Sequence, residues 1–254
     1  MPAGSSAYLA YQLIRRDLAV RFTGSALGLA WAILQPLGLI VLYWFIFGIM
    51  LPGGKLGQGG GDYVYFLISG LLPWLGFNEA LVRGTTSVVE NAQIVKRLPF
   101  RSELLVLVPS ATAILFELVA VILFLVLLGV EGRLHGALWV LPLAVLLQFA
   151  LQFGLSLILA VAYVVFRDVL QLLSFGLSVL FFLSPILFEV RPAFAAFFRW
   201  NPLTPLMGLF RAGTVGGPWP SGGSIAYLVS FALVGVLLGL AIFRRAQPAL
   251  VDAV

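Results

Sequence analysis

Few side chains in this chain could do acid–base or metal chemistry. It holds ten acidic residues, one histidine (His135) and no cysteine among 254 residues. The acids are scattered, and no DxD pair or comparable cluster is present. An enzyme acting on a lipid carrier, such as a glycosyltransferase or phosphatase, would need clustered Asp, Glu or His near one membrane face. That class is disfavoured, and no catalytic residue and no metal site is expected. Without cysteine, disulfides and thiolate metal sites are excluded. The one Gly-Lys pair, Gly54-Lys55, is followed by Leu56 and does not make a phosphate-cradling loop, so ATP is not expected to bind here.

The charges that remain stand out because of where they lie. Glu79 is one turn before Arg83, a spacing that suits an exposed i,i+4 pair. Glu117 falls in the middle of a long apolar stretch, where a charge costs roughly 3 kcal/mol on insertion scales. It should therefore be protonated, paired or turned to a polar cavity. A proton-coupled transporter would lean on these two acids, but no inverted repeat is visible. Arg167 and Asp168, adjacent in "FRD", read as structural, pairing with the N-terminal helix or a partner.

The elements that carry these groups are membrane helices. Hydrophobic residues make up 61% of the chain and charged ones 10%, too few to coat a soluble domain of this size. No charge falls between Arg21 and Lys55, between His135 and Arg167, or between Arg211 and Arg244. Each window exceeds the roughly 20 residues that span hydrocarbon as a helix. In lipid every backbone group must be bonded internally, so these windows are helical. The fold class is an all-α integral membrane protein with six spans, at about 26–51, 63–82, 104–130, 137–166, 169–188 and 224–243. Residues 1–254 form a single transmembrane domain. With the N-terminus inside, Lys and Arg divide ten against five in favour of the cytoplasmic side, which places both termini in the cytoplasm. The formal charge of +5 then reflects loop bias, and no nucleic-acid partner is implied. The first residues, "MPAGSSAYLA", lack the basic region and immediate apolar core of a cleaved signal peptide.

Two segments depart from simple spans. In residues 1–25, Tyr11, Ile14, Leu18 and Phe22 recur at helical spacing, with Gln12, Arg15 and Arg16 elsewhere on the wheel. This predicts an amphipathic helix on the membrane surface, its arginines near anionic lipid headgroups. Residues 189–223 are apolar but interrupted by Pro192, Pro202, Pro205 and arginines. They predict a re-entrant pair of short outer helices before the last span, packed against protein. "PGGKLGQGGGD" reads as a flexible outer turn. Pro36, Pro73 and Pro185 each interrupt a span, and Gly24/Gly28 and Gly235/Gly239 offer close helix packing.

One polar stretch, "TSVVENAQIVKRLPFRSE" (86–103), sits between two apolar spans. Ser87 and Glu90 fit a capping box and Pro99 a stop, which predicts a separate helix over 87–98. Val88, Ala92 and Val95 share one face, while Glu90, Gln93 and Arg97 lie opposite with Lys96 alongside. Such a rod is either an ordinary surface helix or a docking element for a cytoplasmic partner.

Several stretches together resemble the membrane-spanning subunit of bacterial type-2 ABC exporters of polysaccharides (O-antigen, capsule and teichoic acid types). They are "RRDLAVRFTGSALGLAWAILQPL" at 15–37, "LISGLLPWLGFNEALVRGTTSVVENAQIVKRLPFRSELL" at 67–105, "FRDVLQLL" at 166–173, "FFLSPILF" at 181–188 and "NPLTPL" at 201–206. The resemblance implies an inner-membrane homodimer of permeases beneath two cytoplasmic ATPase subunits. ATP and Mg would be on the partner, with no cofactor in this chain. It implies that helix 87–98 is the coupling helix, with Glu90, Asn91, Gln93, Ile94, Lys96 and Arg97 as ATPase-docking residues. Spans one and five would line the channel, making Tyr43, Phe47, Phe181 and Phe182 candidates to stack on a sliding glycan. A lipid-linked glycan carries a diphosphate, and Arg15, Arg16 and Arg21 are candidates to read it, because guanidinium suits bidentate phosphate contacts. The same architecture could instead export a drug or a small lipid.

Overall fold

The computed structural model describes residues 4–21, 23–50, 60–97 and 101–253, without the side chains of 4–7, 29, 60–62, 95–97 and 250–253. The described residues are helical, with no strand among them. Helix α1 (Gly4–Arg21) leads to α2 (Trp31–Tyr43), which continues as a π-helical stretch, Trp44–Met50. Then come α3 (Gly60–Glu90), the short α4 (Ala92–Arg97), α5 (Glu103–Val130) and α6 (Leu141–Val165). After α7 (Val169–Phe182) follow α8 (Ala195–Phe198), α9 (Leu203–Thr214) and α10 (Gly222–Ala253).

Five helical segments are long and apolar enough to cross a membrane: Trp31–Met50, Tyr63–Glu90, Glu103–Val130, Leu138–Val165 and Gly222–Ala249. They follow four of the predicted spans closely and extend the second. The fifth expected crossing, 169–188, is shorter: α7 has 14 residues and ends at Phe182, and Pro185 lies in the turns that follow. At 1.5 Å per residue α7 is about 21 Å long, short of the roughly 30 Å hydrocarbon thickness. The reason is local. Pro185 has no N–H to give and its ring would crowd the carbonyl of Phe181. The freed end is held by Asn201, whose amide donates to the carbonyl of Leu183 and to Ser184 Oγ, both at 3.0 Å.

The interior is built by α3, α5 and α6, with α9 and α10 packed around them. Leu67, Ile68, Phe77, Phe124, Leu151, Leu206 and Phe210 are fully buried in one apolar cluster. Between α6 and α10 the backbones nearly touch. A Cβ on Gly154 would lie 2.5 Å from the backbone of Gly235, and one on Gly239 would lie 2.6 Å from the Gly154 carbonyl oxygen. Small residues that admit a neighbouring backbone are what helix pairs use where lipid gives no hydrophobic drive. The predicted Gly235/Gly239 packing is thus present within the chain. Gly24 and Gly28 do something else: with φ of +83° and +49° they form the turn between α1 and α2, and a Cβ on either would meet nothing within 4 Å.

In contrast to α3, α2 and α7 are largely uncovered. Trp31, Gln35, Val41 and Phe45 on α2 are exposed, as are Ser174, Phe175, Ser178 and Phe182 on α7. Residues 189–223 include two short α-helices. The first, α8, is exposed, and the second, α9, is deeply packed through Leu203, Leu206, Met207 and Phe210.

Candidate functional site

The polar stretch differs from its predicted form. No separate helix begins at Ser87. Instead α3 runs unbroken to Glu90, breaks at Asn91 and resumes as α4. Ser87 Oγ bonds back to the carbonyl of Gly84 at 2.7 Å, so there is no capping box with Glu90. Serine back-bonding within a continuing helix satisfies the hydroxyl just as a cap would. Asn91 supports the break, its amide donating to the Ser87 carbonyl at 2.9 Å while its own carbonyl accepts from the N–H of Ile94 at 2.9 Å. The expected faces are described at Val88, Glu90, Ala92 and Gln93, and Ala92 is half-buried. Val88 is fully buried with Leu105, Phe153 and Phe243, whereas Glu90 and Gln93 are exposed and Asn91 and Ile94 half-buried. Lys96 and Arg97 lie in α4 with side chains outside the described set, and Val95 likewise; Pro99 and Phe22 lie outside the described residues.

Helix α1 reaches this junction from the side. Leu13 packs on the cluster around Leu105 and Val106 of α5. Asp17 Oδ1 accepts from Arg83 Nη2 at 2.5 Å, and Arg83 Nη1 also reaches Glu79 Oε1 at 3.4 Å and Thr112 Oγ1 at 3.3 Å. Arg21 makes a two-armed contact with Glu79 and lies 3.9 Å from the Phe116 ring centroid. Thus Glu79 and Arg83 are not an isolated surface pair but half of an Asp17–Arg83–Glu79–Arg21 network joining α1 to α3. The stripe of Tyr11, Ile14 and Leu18 points away from that contact: Tyr11 is exposed and the other two half-exposed.

The three N-terminal arginines therefore differ. Arg21 is committed to Glu79. Arg16 is exposed and donates to Asn91 Oδ1 at 3.2 Å, so one candidate diphosphate residue touches one candidate docking residue. Both line a cleft of about 310 Å³ between α1 and the ends of α3 and α5. Arg15 is exposed. Arg167 and Asp168 are exposed and make no ion pair with α1 among the described residues; Arg167 lies 5.1 Å over the Tyr163 ring. At the same end Arg244 of α10 pairs with the buried Glu103 at 3.1 Å.

Glu117 is buried and bonded to Gln148 Nε2, which also donates to the Pro73 carbonyl at 3.1 Å. A Cβ on Gly76 would overlap the Glu117 carboxylate, so glycine there is what lets the acid lie against α3. Glu117 also borders a cavity of about 80 Å³ shared with Gln35, Glu79 and Arg21. Of the alternatives left by the sequence, a hydrogen-bonded partner is present, while the cavity is lined mostly by apolar residues such as Leu39, Leu72, Leu75 and Phe116.

The aromatic candidates are joined through α3. Tyr43 and Phe47 stack at 6.1 Å, Phe47 meets Tyr63 edge-on at 5.5 Å, and Tyr63 stacks with Phe66 at 6.3 Å. Phe181 sits 5.5 Å from Trp74 and 5.2 Å from Phe182, which is exposed.

At the opposite end of the bundle the structure holds a residue that sequence reasoning passed over. Arg211 of α9 is 7% exposed and lies 3.6 Å over the Phe66 ring, with Nη2 donating to the Ile186 carbonyl at 3.2 Å. Burial pushes its guanidinium down to about 9, opposed by the charge of Glu189, which leaves it cationic at neutral pH. One arginine inside "PLMGLFRAGT" was the available signal. Around this end stand exposed Trp139, Trp200 and Trp219, an aromatic fringe of the kind found where membrane meets water.

Comparison with known proteins agrees with this architecture. Residues 8–215 match the model of the ABC-2 type transporter family. The chain is 29% identical over 243 residues to the "O-antigen export system permease protein RfbA" of Klebsiella pneumoniae, covering 92% of this chain and 90% of that protein. It is 26% identical over 215 residues to the protein of the same name from Myxococcus xanthus, with 80% and 79% covered. It is 25% identical over 246 residues to the "Polysialic acid transport protein KpsM" of Escherichia coli, with 95% and 94% covered. A multi-pass helical bundle matched over most of its length by one family model is a member of that family: the chain belongs to the ABC-2 type transporters.

Proposed function

We propose that this chain is the permease subunit of an ATP-driven exporter that moves a lipid-linked polysaccharide across the bacterial cytoplasmic membrane. The relatives named for O-antigen and polysialic acid support the substrate class. The observation that carries the mechanism is the junction of α3 and α4. There, exposed Glu90 stands on the tip of a 31-residue helix, the most buried of the five candidate spans, with exposed Gln93 just beyond it on α4. A helix of that length is about 46 Å long, so a load on its tip is delivered to the whole core rather than absorbed in a loop.

In this reading a cytoplasmic ATPase seats on Glu90, Asn91, Gln93, Ile94, Lys96 and Arg97. Both termini are cytoplasmic, and two copies of the chain pair through their uncovered α2 and α7. Exposed Gln35 favours a wet interface over lipid, because polar groups facing hydrocarbon are costly, whereas the hydroxyls of Ser174 and Ser178 are bonded to the carbonyls of Leu170 and Ser174 at 2.9 Å. Tyr43, Phe47, Phe181 and Phe182 then flank the glycan, and Arg15 and Arg16 meet its diphosphate, while Arg21 fixes α1 in place. The ATPase binds ATP and Mg, and this chain does no chemistry.

The test is co-purification. The wild-type chain should bring down a nucleotide-binding protein from the membranes of its host. A Glu90→Ala, Gln93→Ala, Arg97→Ala variant that inserts normally should lose it. If the wild type never brings down such a protein, the exporter reading fails.

A further inference from the structure

Between α3, α9 and the segments 185–190 and 215–218 lies a cavity of about 750 Å³, at the end of the bundle opposite α4. That is within the size range of small-molecule sites. Among its lining residues are Tyr65, Phe66, Arg133, Glu189, Thr204 and Arg211. Two lining groups are buried yet lack a hydrogen-bond partner among the described residues, Nε of Arg211 and Oγ1 of Thr204. Native interiors rarely leave such atoms unmatched, and one left unmade costs about 1–3 kcal/mol.

Nor is Arg211 there by slack packing. Its Nη2 is bonded to Ile186 and its plane lies on Phe66. Gly70 and Gly217 make room for it: a Cβ on Gly70 would lie 2.8 Å from Nη2, and one on Gly217 would lie 3.0 Å from Arg211 Cβ. The guanidinium is thus held in position at the cavity wall.

We infer that this cavity binds a neutral sugar unit of the transported glycan, with Arg211 and Thr204 on one side and Glu189 on the other. This rests on the polysaccharide-exporter reading. The mixed charge selects the chemistry. A hydroxyl can accept from the guanidinium of Arg211 or Arg133 and donate to the Glu189 carboxylate, whereas a phosphate would gain Arg211 and be repelled by Glu189, Arg133 being already paired with Glu131 at 3.9 Å. The ring series Tyr43, Phe47, Tyr63 and Phe66 ends at this cavity, so the aromatic groups of α2 run without a gap to the site. The cavity lies inside one protomer, apart from the uncovered faces of α2 and α7, and would hold a sugar leaving the shared channel.

The experiment is saturation-transfer NMR on the full chain in nanodiscs. The probes are methyl mannoside, methyl galactoside and methyl rhamnoside, with inorganic phosphate as the anionic probe. At least one glycoside should receive saturation, and Thr204→Val and Glu189→Gln should each weaken its binding roughly five- to tenfold, the worth of about one hydrogen bond. Arg211→Lys should do the same by keeping the charge and losing the planar fork. Should that variant fold poorly, the other two carry the test. No glycoside signal, a signal unchanged in both Thr204→Val and Glu189→Gln, or binding of phosphate alone overturns the proposal. Glycan export by cells carrying the wild-type chain is scored alongside. Export with failed glycoside binding removes the sugar site alone, whereas a wild-type chain that supports no export removes the exporter reading and this site with it.

Discussion

Arg83, on α3 near one end, and Arg211, packed against α3 near the other, have surroundings that differ in kind. Arg83 shares its donors among Asp17, Glu79 and Thr112, each on a different element or turn. Arg211 has one carbonyl, one ring and a cavity, and its Nε is unmatched among the described residues. The first arrangement spends a charge on holding helices together. The second leaves donor capacity open, which adds nothing to the fold but is what a ligand needs. Location in the membrane does not separate the two roles; the number of matched donors does.

The largest effect expected along α3 comes from its middle, between the two arginines. Gly76→Ala should cost about 3 kcal/mol, because the new methyl overlaps Glu117 and the carboxylate must leave Gln148 to make way. In a Glu117→Ala background at least half of that cost should disappear, read as a shift of the unfolding midpoint in a double-mutant cycle. Equal cost in both backgrounds would mean that backbone, not the acid, fills the space. Next, Arg83→Leu should cost about 2 kcal/mol, less than a fully buried pair because these side chains are still a quarter to a third exposed. Arg211→Leu should cost under about 1 kcal/mol in the same measurement, since removing an incompletely matched buried charge is often near neutral. If the two substitutions cost the same, the distinction between a tying and an open arginine collapses. Smallest of all, Glu103→Gln should shift the midpoint by less than about 0.5 kcal/mol, because its partner Arg244 is more than half exposed.

The comparison also marks what could be read from residues in order. Uncharged windows located the first, fourth and last spans, and the apolar run around Glu117 the third, because hydrocarbon imposes one solution on a long apolar run, though the last was drawn to 243 where the segment continues to Ala249. The end of the second span was misread for a physical reason. Ser87 and Glu90 look the same locally whether a helix starts there or merely leaves lipid, and only the bond from Ser87 to Gly84 separates the cases. α7 was drawn too long because apolar residues continue past Pro185 after the helix has stopped. The Glu79–Arg83 spacing was visible, but Asp17 and Arg21 are 66 and 58 residues from their partners, and no periodicity encodes such pairs. The same holds for Glu117 with Gln148 and for Arg211 with Phe66. The exposure of Glu90 and Gln93 was legible because polar residues there alternate with apolar ones at helical spacing. The far-end cavity was not, since it is assembled from four separate segments.

A rod gripped part-way along its length is a lever. The grip on α3 is the bond from Gln148 to the carbonyl of Pro73. From there the arm toward Glu90 is about 25 Å and the arm toward Phe66 about 10 Å, at 1.5 Å per residue. Rocking about that fulcrum, a tip stroke of about 5 Å at Glu90 becomes about 2 Å at Phe66, in the opposite sense. Two ångströms is enough to slide the Phe66 ring out from under Arg211, so the far end would feel each stroke reduced in amplitude and reversed in direction. Spin labels on α3, one on each side of Pro73, should then move oppositely relative to α6 when nucleotide binds, and motion in the same direction would rule the lever out.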